Sequence, residues 1–94
     1  MNISLDFDET YTRDPILWLQ FIKAATDRGH KVYCVTMRTP EEGAEVIHEL
    51  SRFVEKIIFT SRKAKKDFCY YEHNLNIDVW IDDMPLFVVK SALH

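Results

Sequence analysis

The chain holds two pairs of aspartates that stand directly behind apolar segments. Asp6 and Asp8 follow NISL, and Asp82 and Asp83 follow IDVWI. Thr36 closes a third such run, KVYCVT, and Thr60-Ser61 close a fourth, KIIF. Residues two apart in an extended strand point to the same side, so Asp6 and Asp8 are expected to face one site. Four carboxylates gathered there would repel one another severely unless a cation lay among them. Ligands that are all oxygen favour a hard cation, and Mg²⁺ is the first choice. A single aspartate in a loop is ordinarily a solvated charge. Two pairs, each placed behind a strand, point instead to a built site.

Positioning such residues needs a particular frame, and the intervening segments supply it. Residues 2–6 read as a short strand. Asp14-Pro15 then places an N-cap before a proline at the first helical position. Trp18, Phe21, Ile22 and Ala25 recur at helical spacing behind it, and Gly29 marks the end, so residues 14–28 are expected to be helical. Residues 31–36 form a near-continuous apolar run, as in a strand buried on both faces. Thr39-Pro40-Glu41-Glu42 reads as a capping box opening a helix that buries Val46, Ile47, Leu50 and Val54. A third strand is expected over 56–60 and a third helix over 61–74, with Ala64, Phe68 and Tyr71 inward. A fourth strand covers 77–81, and the closing MPLFVVKSALH is left open between a short helix and a fifth edge strand beside the fourth.

Strands alternating with helices at this spacing make βαβ units and a mainly parallel sheet. The expected fold is α/β: one three-layer Rossmann-like domain over 1–94, with strand order 4-1-2-3 and right-handed crossovers. Open parallel sheets bind ligands at the carboxyl ends of their strands, where all the polar candidates converge.

Composition narrows the function classes. The 94 residues are 47% hydrophobic with 2 Gly and 3 Pro, which excludes a disordered tail or a linker. A net charge of −3 speaks against a protein that coats nucleic acid through a broad basic face. Setting the four aspartates aside, however, leaves 11 acidic against 12 basic side chains, so the acidity is largely the inferred site. Cys34 and Cys69 lie far apart with no metal-ligand spacing and read as free buried thiols in a reducing compartment. No apolar run approaches the roughly 20 residues of a membrane span, and the first residues lack the pattern of a signal peptide. A cytoplasmic location without membrane association is the expectation.

With those residues in place, the chain resembles the haloacid dehalogenase-like phosphohydrolases. ISLDFDET matches their first motif, DxDx(T/V), at Asp6, Asp8 and Thr10; VYCVT matches the second at Thr36; SRKAKKDF offers lysines for the third; VWIDD matches the fourth at Asp82 and Asp83. The four occur in order across positions 3–83. The resemblance implies a phosphatase in which Asp6 is the nucleophile, Asp8 the general acid and base, and Thr36 a hydrogen-bond donor to the phosphoryl group. It implies Mg²⁺ held by Asp6, the main-chain carbonyl of Asp8, Asp82 and Asp83. Lys65 best fits the family's lysine, with Lys63 and then Lys66 behind it. Thr10, Arg38 and Lys63 are candidates to meet the substrate, against a surface salt bridge for Arg38 and a solvated helix start for most of residues 62–66.

Two departures stand out. Glu9 occupies a place where many family members have glycine, which bears on the turn after the first strand. Neither usual point for a cap domain has room: residues 9–13 separate the first strand from its helix, and some twenty residues, mostly helical, follow Thr36. An open site implies a substrate that covers it, such as a nucleic-acid end or a phosphoprotein, or a loosely held nucleotide, or a neighbouring copy in an oligomer. Two rivals follow from the same residues. One is a silent binding module of the same fold. The other is a receiver-like phospho-switch, which would need its acceptor aspartate after the third strand, where Thr60 stands.

Overall fold

The computed structural model describes residues 1–92. Four parallel strands, β1 (Asn2–Leu5), β2 (Lys31–Thr36), β3 (Lys56–Phe59) and β4 (Val79–Ile81), form one sheet in the order β3-β2-β1-β4. This is the expected order read from the opposite edge. Side-chain alternation divides the core between the two faces. Ile3, Leu5, Val32 and Cys34 join the cluster that includes Ile22 and Ala25 of α1 (Pro15–Asp27) and Val46 and Leu50 of α2 (Ala44–Leu50). Tyr33, Val35 and Ile58 pack on the other face against Cys69 and Phe68 of α3 (Lys65–His73). Helices on both faces make the three layers.

The α1 signals operate as read. The Asp14 carboxylate accepts the Leu17 amide at 3.2 Å, Pro15 opens the helix, and Gly29 takes φ 86° beyond its end. The second helix differs. Glu42 does accept the Thr39 amide at 2.8 Å, but the turn it opens, Pro40–Glu42, is 3-10 and stops at Gly43. A Cβ on Gly43 would lie 2.4 Å from the Phe59 ring, so the chain here is pressed onto β3. The α-helix proper starts one residue later, Val54 lies beyond it, and Ile47 is 47% exposed rather than buried.

The third helix starts at Lys65, not at 61, because Ser61 and Arg62 adopt left-handed φ values of 52° and 72°. Ala64 and Phe68 pack inward as expected, with Lys65 and Cys69 beside them, but Tyr71 is 77% exposed. The open choice at the end of the chain resolves among the described residues as α4 (Leu86–Val89), one helical turn against α3, and not a fifth strand. Pro85 at φ −61° starts that turn, which the Phe87 amide closes onto Met84. Residues 93 and 94 lie outside the described part. Both cysteines are free and buried. No helix among the described residues is long and apolar enough to cross a membrane.

Candidate active site

The strand order creates a switch point. The chain steps from β1 to β2 to β3 in one direction, then α3 returns it to the far side of β1, where β4 lies. Loops diverge at such a point, and a crevice opens at the carboxyl ends of the two strands. Asp6 follows β1 and Asp82-Asp83 follow β4, so the topology sets both acidic segments on that crevice. The Asp6 amide bonds the Ile81 carbonyl at 2.9 Å, which extends the ladder by one residue and fixes Asp6 beside Asp82.

Lys65 reaches them from the first position of α3. Its Nζ lies 2.9 Å from Asp6 Oδ1 and 2.5 Å from Asp82 Oδ2, with the lysine side chain 3% exposed. Lys66 points to solvent, and Lys63 is exposed, its ammonium 6.0 Å from the Phe68 ring and away from the acidic cluster. Of the three lysines considered, Lys65 alone makes this contact. Burial pulls its pKa down, but the Asp6 and Asp82 carboxylates outweigh that, and the ammonium is held charged.

Asp6, Asp82 and Asp83 offer carboxylate oxygens within 4.8 Å of one another. Thr10 is not on the cleft wall where a substrate contact would place it. Its hydroxyl sits between Asp6 Oδ2 at 3.2 Å and Asp83 Oδ1 at 3.3 Å, and it accepts the Asp83 amide at 3.2 Å. Three carboxylates and one lysine leave an excess of negative charge, and the donors are all oxygen. That set fits a hard divalent cation such as Mg²⁺. The Asp8 carboxylate stands apart from the three.

The charge excess has a measurable consequence. Burial first, then the Asp83 hydrogen bond and the Asp82 charge, push the Asp6 carboxyl up to about 7 against the pull of Lys65. The unfolded chain releases that proton near the ordinary value of 3.8. Between these values the folded state holds more protons, so this group's contribution to stability falls as pH rises. In EDTA, the wild type is expected to lose about 1 kcal/mol per pH unit relative to Asp6→Asn between pH 5 and 7. Urea unfolding of both proteins across that range checks it; parallel curves would refute the assignment.

Asp8 lies past the strand, in the turn that follows β1, so strand alternation does not place it. It nevertheless lines the same cleft of about 330 Å³ as Asp6, Thr36, Lys65, Asp82 and Asp83. Both its oxygens are taken by Arg38, from Nη2 at 2.7 Å and Nε at 3.0 Å. Arg38 therefore makes the salt bridge, which occupies its Nε/Nη2 edge. Glu9 takes φ 62°, the conformation that glycine adopts without strain, so the turn is retained at a cost. Its amide bonds Thr12 Oγ1 at 3.0 Å. Glu9→Gly is expected to raise the unfolding free energy by about 1 kcal/mol, read by urea denaturation. An unchanged or lower value would show that the turn bears no such strain.

Thr36 is buried at the end of β2 with its Oγ1 accepting the Arg38 amide at 3.3 Å. Thr60, after β3, has a buried hydroxyl without a hydrogen-bond partner among the described residues, and no carboxylate follows that strand. Arg62, Met84 and Phe87 of the cleft wall were not among the expected site residues. Arg62 lines the cleft because of its left-handed backbone, which no spacing rule announces. Met84 and Phe87 form part of the wall because α4 folds back there. No protein-family model, no curated protein and no solved structure matches this chain.

Proposed function

We propose that this chain is a Mg²⁺-dependent phosphomonoester hydrolase of the haloacid dehalogenase-like type, working through an aspartyl-phosphate on Asp6. The supporting observation is the buried Lys65 ammonium bonded to both Asp6 and Asp82 at the switch point of the sheet. Those residues come from segments 59 and 17 positions apart, and the second distance spans a whole helix. A solvated loop charge does not build that arrangement.

In this reading an Asp6 oxygen attacks phosphorus, the ester P–O bond breaks, and the leaving oxygen takes a proton from Asp8. Water then gives a proton to Asp8 and attacks the same phosphorus. The P–O bond to Asp6 breaks, releasing inorganic phosphate and restoring the carboxylate. Lys65 and the Thr10 hydroxyl hold the Asp6 side chain in one orientation, and Lys65 offsets its charge. Thr36 donates to the phosphoryl oxygens. Asp6, Asp82, Asp83 and the main-chain carbonyl of Asp8 would hold Mg²⁺, which supplies shielding between the nucleophile and the phosphate.

The connections at both usual cap positions are short in the structure too: a 3-10 turn (Tyr11–Arg13) before α1, and one turn plus α2 after β2. The open cleft suits a phosphate presented by something larger, at a nucleic-acid end, on a protein or on a nucleotide, or a cleft covered by a neighbouring copy. A second reading, a binding module without turnover, draws on Arg38 occupying both oxygens of Asp8.

The assay is Mg²⁺ with p-nitrophenyl phosphate and a panel of nucleotides, phosphorylated oligonucleotides, phosphopeptides and sugar phosphates. Turnover above an Asp6→Asn control is the expected result. No difference between the two proteins across metals and ester classes would remove the enzyme reading. Beryllofluoride bound at Asp6 without turnover would favour the binding module.

A further inference from the structure

Two arginines stand by the cleft, Arg62 in its lining and Arg38 through its pairing with Asp8, and the chemistry assigned above uses neither. Arg62 lines the cleft, in a left-handed backbone conformation that non-glycine residues adopt only at a cost. Its Nη1 donates to the Met37 carbonyl at 2.7 Å, and its guanidinium meets the two Glu42 oxygens at 2.9 and 3.2 Å. Arg38 is held by a separate set of contacts. The Phe7 ring lies 5.1 Å below its guanidinium, Nη1 donates to the Glu42 carbonyl at 3.0 Å, and Glu45 sits 3.6 Å from Nη2. Glu42 therefore holds both guanidiniums, one through its side chain and one through its backbone.

The remaining edge of Arg38, Nε and Nη2, carries the Asp8 carboxylate. That edge offers paired N–H donors whose geometry suits a carboxylate or a phosphate equally. The two partners are unequally anchored. The Arg38 side chain is 23% exposed and fixed by three other contacts, whereas Asp8 is 51% exposed on a surface turn. If the pair opens, the guanidinium stays and the carboxylate moves.

We infer that Arg38 and Arg62 form a subsite for a second anionic group of the substrate, adjacent to the scissile phosphate. The inference rests on the phosphatase reading for the site of hydrolysis. The substrate class is a phosphomonoester with a further phosphate close by, as at the phosphorylated end of a nucleic-acid strand or in a nucleoside bisphosphate. The second anion displaces Asp8 from the Nε/Nη2 edge, so the event that seats the substrate also frees Asp8 to face the ester. Esters with one anionic group lack that displacing contact and free Asp8 less often.

Binding to the Asp6→Asn protein in Mg²⁺ tests this without turnover. The ligands are thymidine 5′-monophosphate, thymidine 3′,5′-bisphosphate and the 5′-phosphorylated thymidine dinucleotide, measured by calorimetry. The two-phosphate ligands are expected to bind at least about tenfold more tightly than the monophosphate. Arg38→Met and Arg62→Met, each in that background, are expected to remove the preference, and Arg38→Lys to keep part of it. Thermal melts establish that each variant is folded, and Arg62→Lys replaces Arg62→Met if the latter is not. The tighter of the two longer ligands identifies a strand end or a free nucleotide. Equal affinity for one and two phosphates, or a preference untouched by both arginine replacements, would overturn the subsite. Wild-type hydrolysis of the same ligands is scored separately: preferential binding without hydrolysis would count against the phosphatase and leave the subsite standing.

Discussion

Asp6→Asn is expected to lower phosphatase turnover by at least about 10⁴-fold, the scale seen when a covalent nucleophile is removed. The amide nearly matches the carboxylate in shape but cannot form the aspartyl-phosphate. The same substitution is expected to leave the fold intact at pH 7 and above. Asp6 is buried against Asp82, Asp83 and Lys65, and its carboxyl is already pushed up to about 7, so replacing its charge relieves repulsion. An amide can still offer its oxygen to Lys65 Nζ and its nitrogen to Thr10 Oγ1, the two groups that hold Asp6 now. Turnover of p-nitrophenyl phosphate and urea unfolding on one preparation read both quantities. A variant that kept a tenth of the activity would exclude Asp6 as nucleophile. A variant inactive because unfolded would show itself in the second measurement.

Lys65→Met is expected to destabilise the protein by about 3–5 kcal/mol, the range for removing one partner of a buried ion pair. The side chains of Lys65, Asp6 and Asp82 are 3%, 9% and 4% exposed, so the carboxylates left behind have little access to water. Asp6 escapes part of that cost by keeping its proton, which it does more completely at lower pH. The loss is therefore expected to be larger at pH 8 than at pH 5. Combining Lys65→Met with Asp6→Asn should recover about 1–3 kcal/mol, because the two groups touch and their effects do not add. Unfolding free energies of the four proteins of this cycle, at both pH values, supply the check. Strict additivity, or a loss under 1 kcal/mol at pH 8, would mean that Lys65 is better solvated than its burial implies.

How much of this was legible beforehand depended on the range of the interactions involved. The α1 boundaries were readable because Asp14, Pro15 and Gly29 act within a turn of where they stand. The strands were readable because apolar runs such as KVYCVT have few other ways to be buried. The second helix was misread at Gly43, whose constraint is the Phe59 ring sixteen residues away in sequence. The third was misread at Ser61 and Arg62, where two non-glycine residues turn left-handed while Arg62 ties itself to Met37, Glu42 and Ala92. Periodicity alone also turns Tyr71 and Ile47 inward, where the structure leaves them 77% and 47% exposed.

The site divides in the same way. Residue type and order alone determined that acidic pairs follow the first and fourth strands, that a threonine follows the second, and that lysines cluster near the start of the third helix. Each of these is a property of one segment and its nearest neighbours. Only the tertiary structure decided which lysine reaches Asp6, that Thr10 braces two carboxylates, that Arg38 covers Asp8 and that Arg62 lines the cleft. Apart from Thr10 on Asp6, four positions away, those pairings join side chains separated by 17 to 73 positions, and their geometry depends on register, crossover and helix phase together. A short motif specifies which groups are present. The packing of the sheet specifies which of them touch.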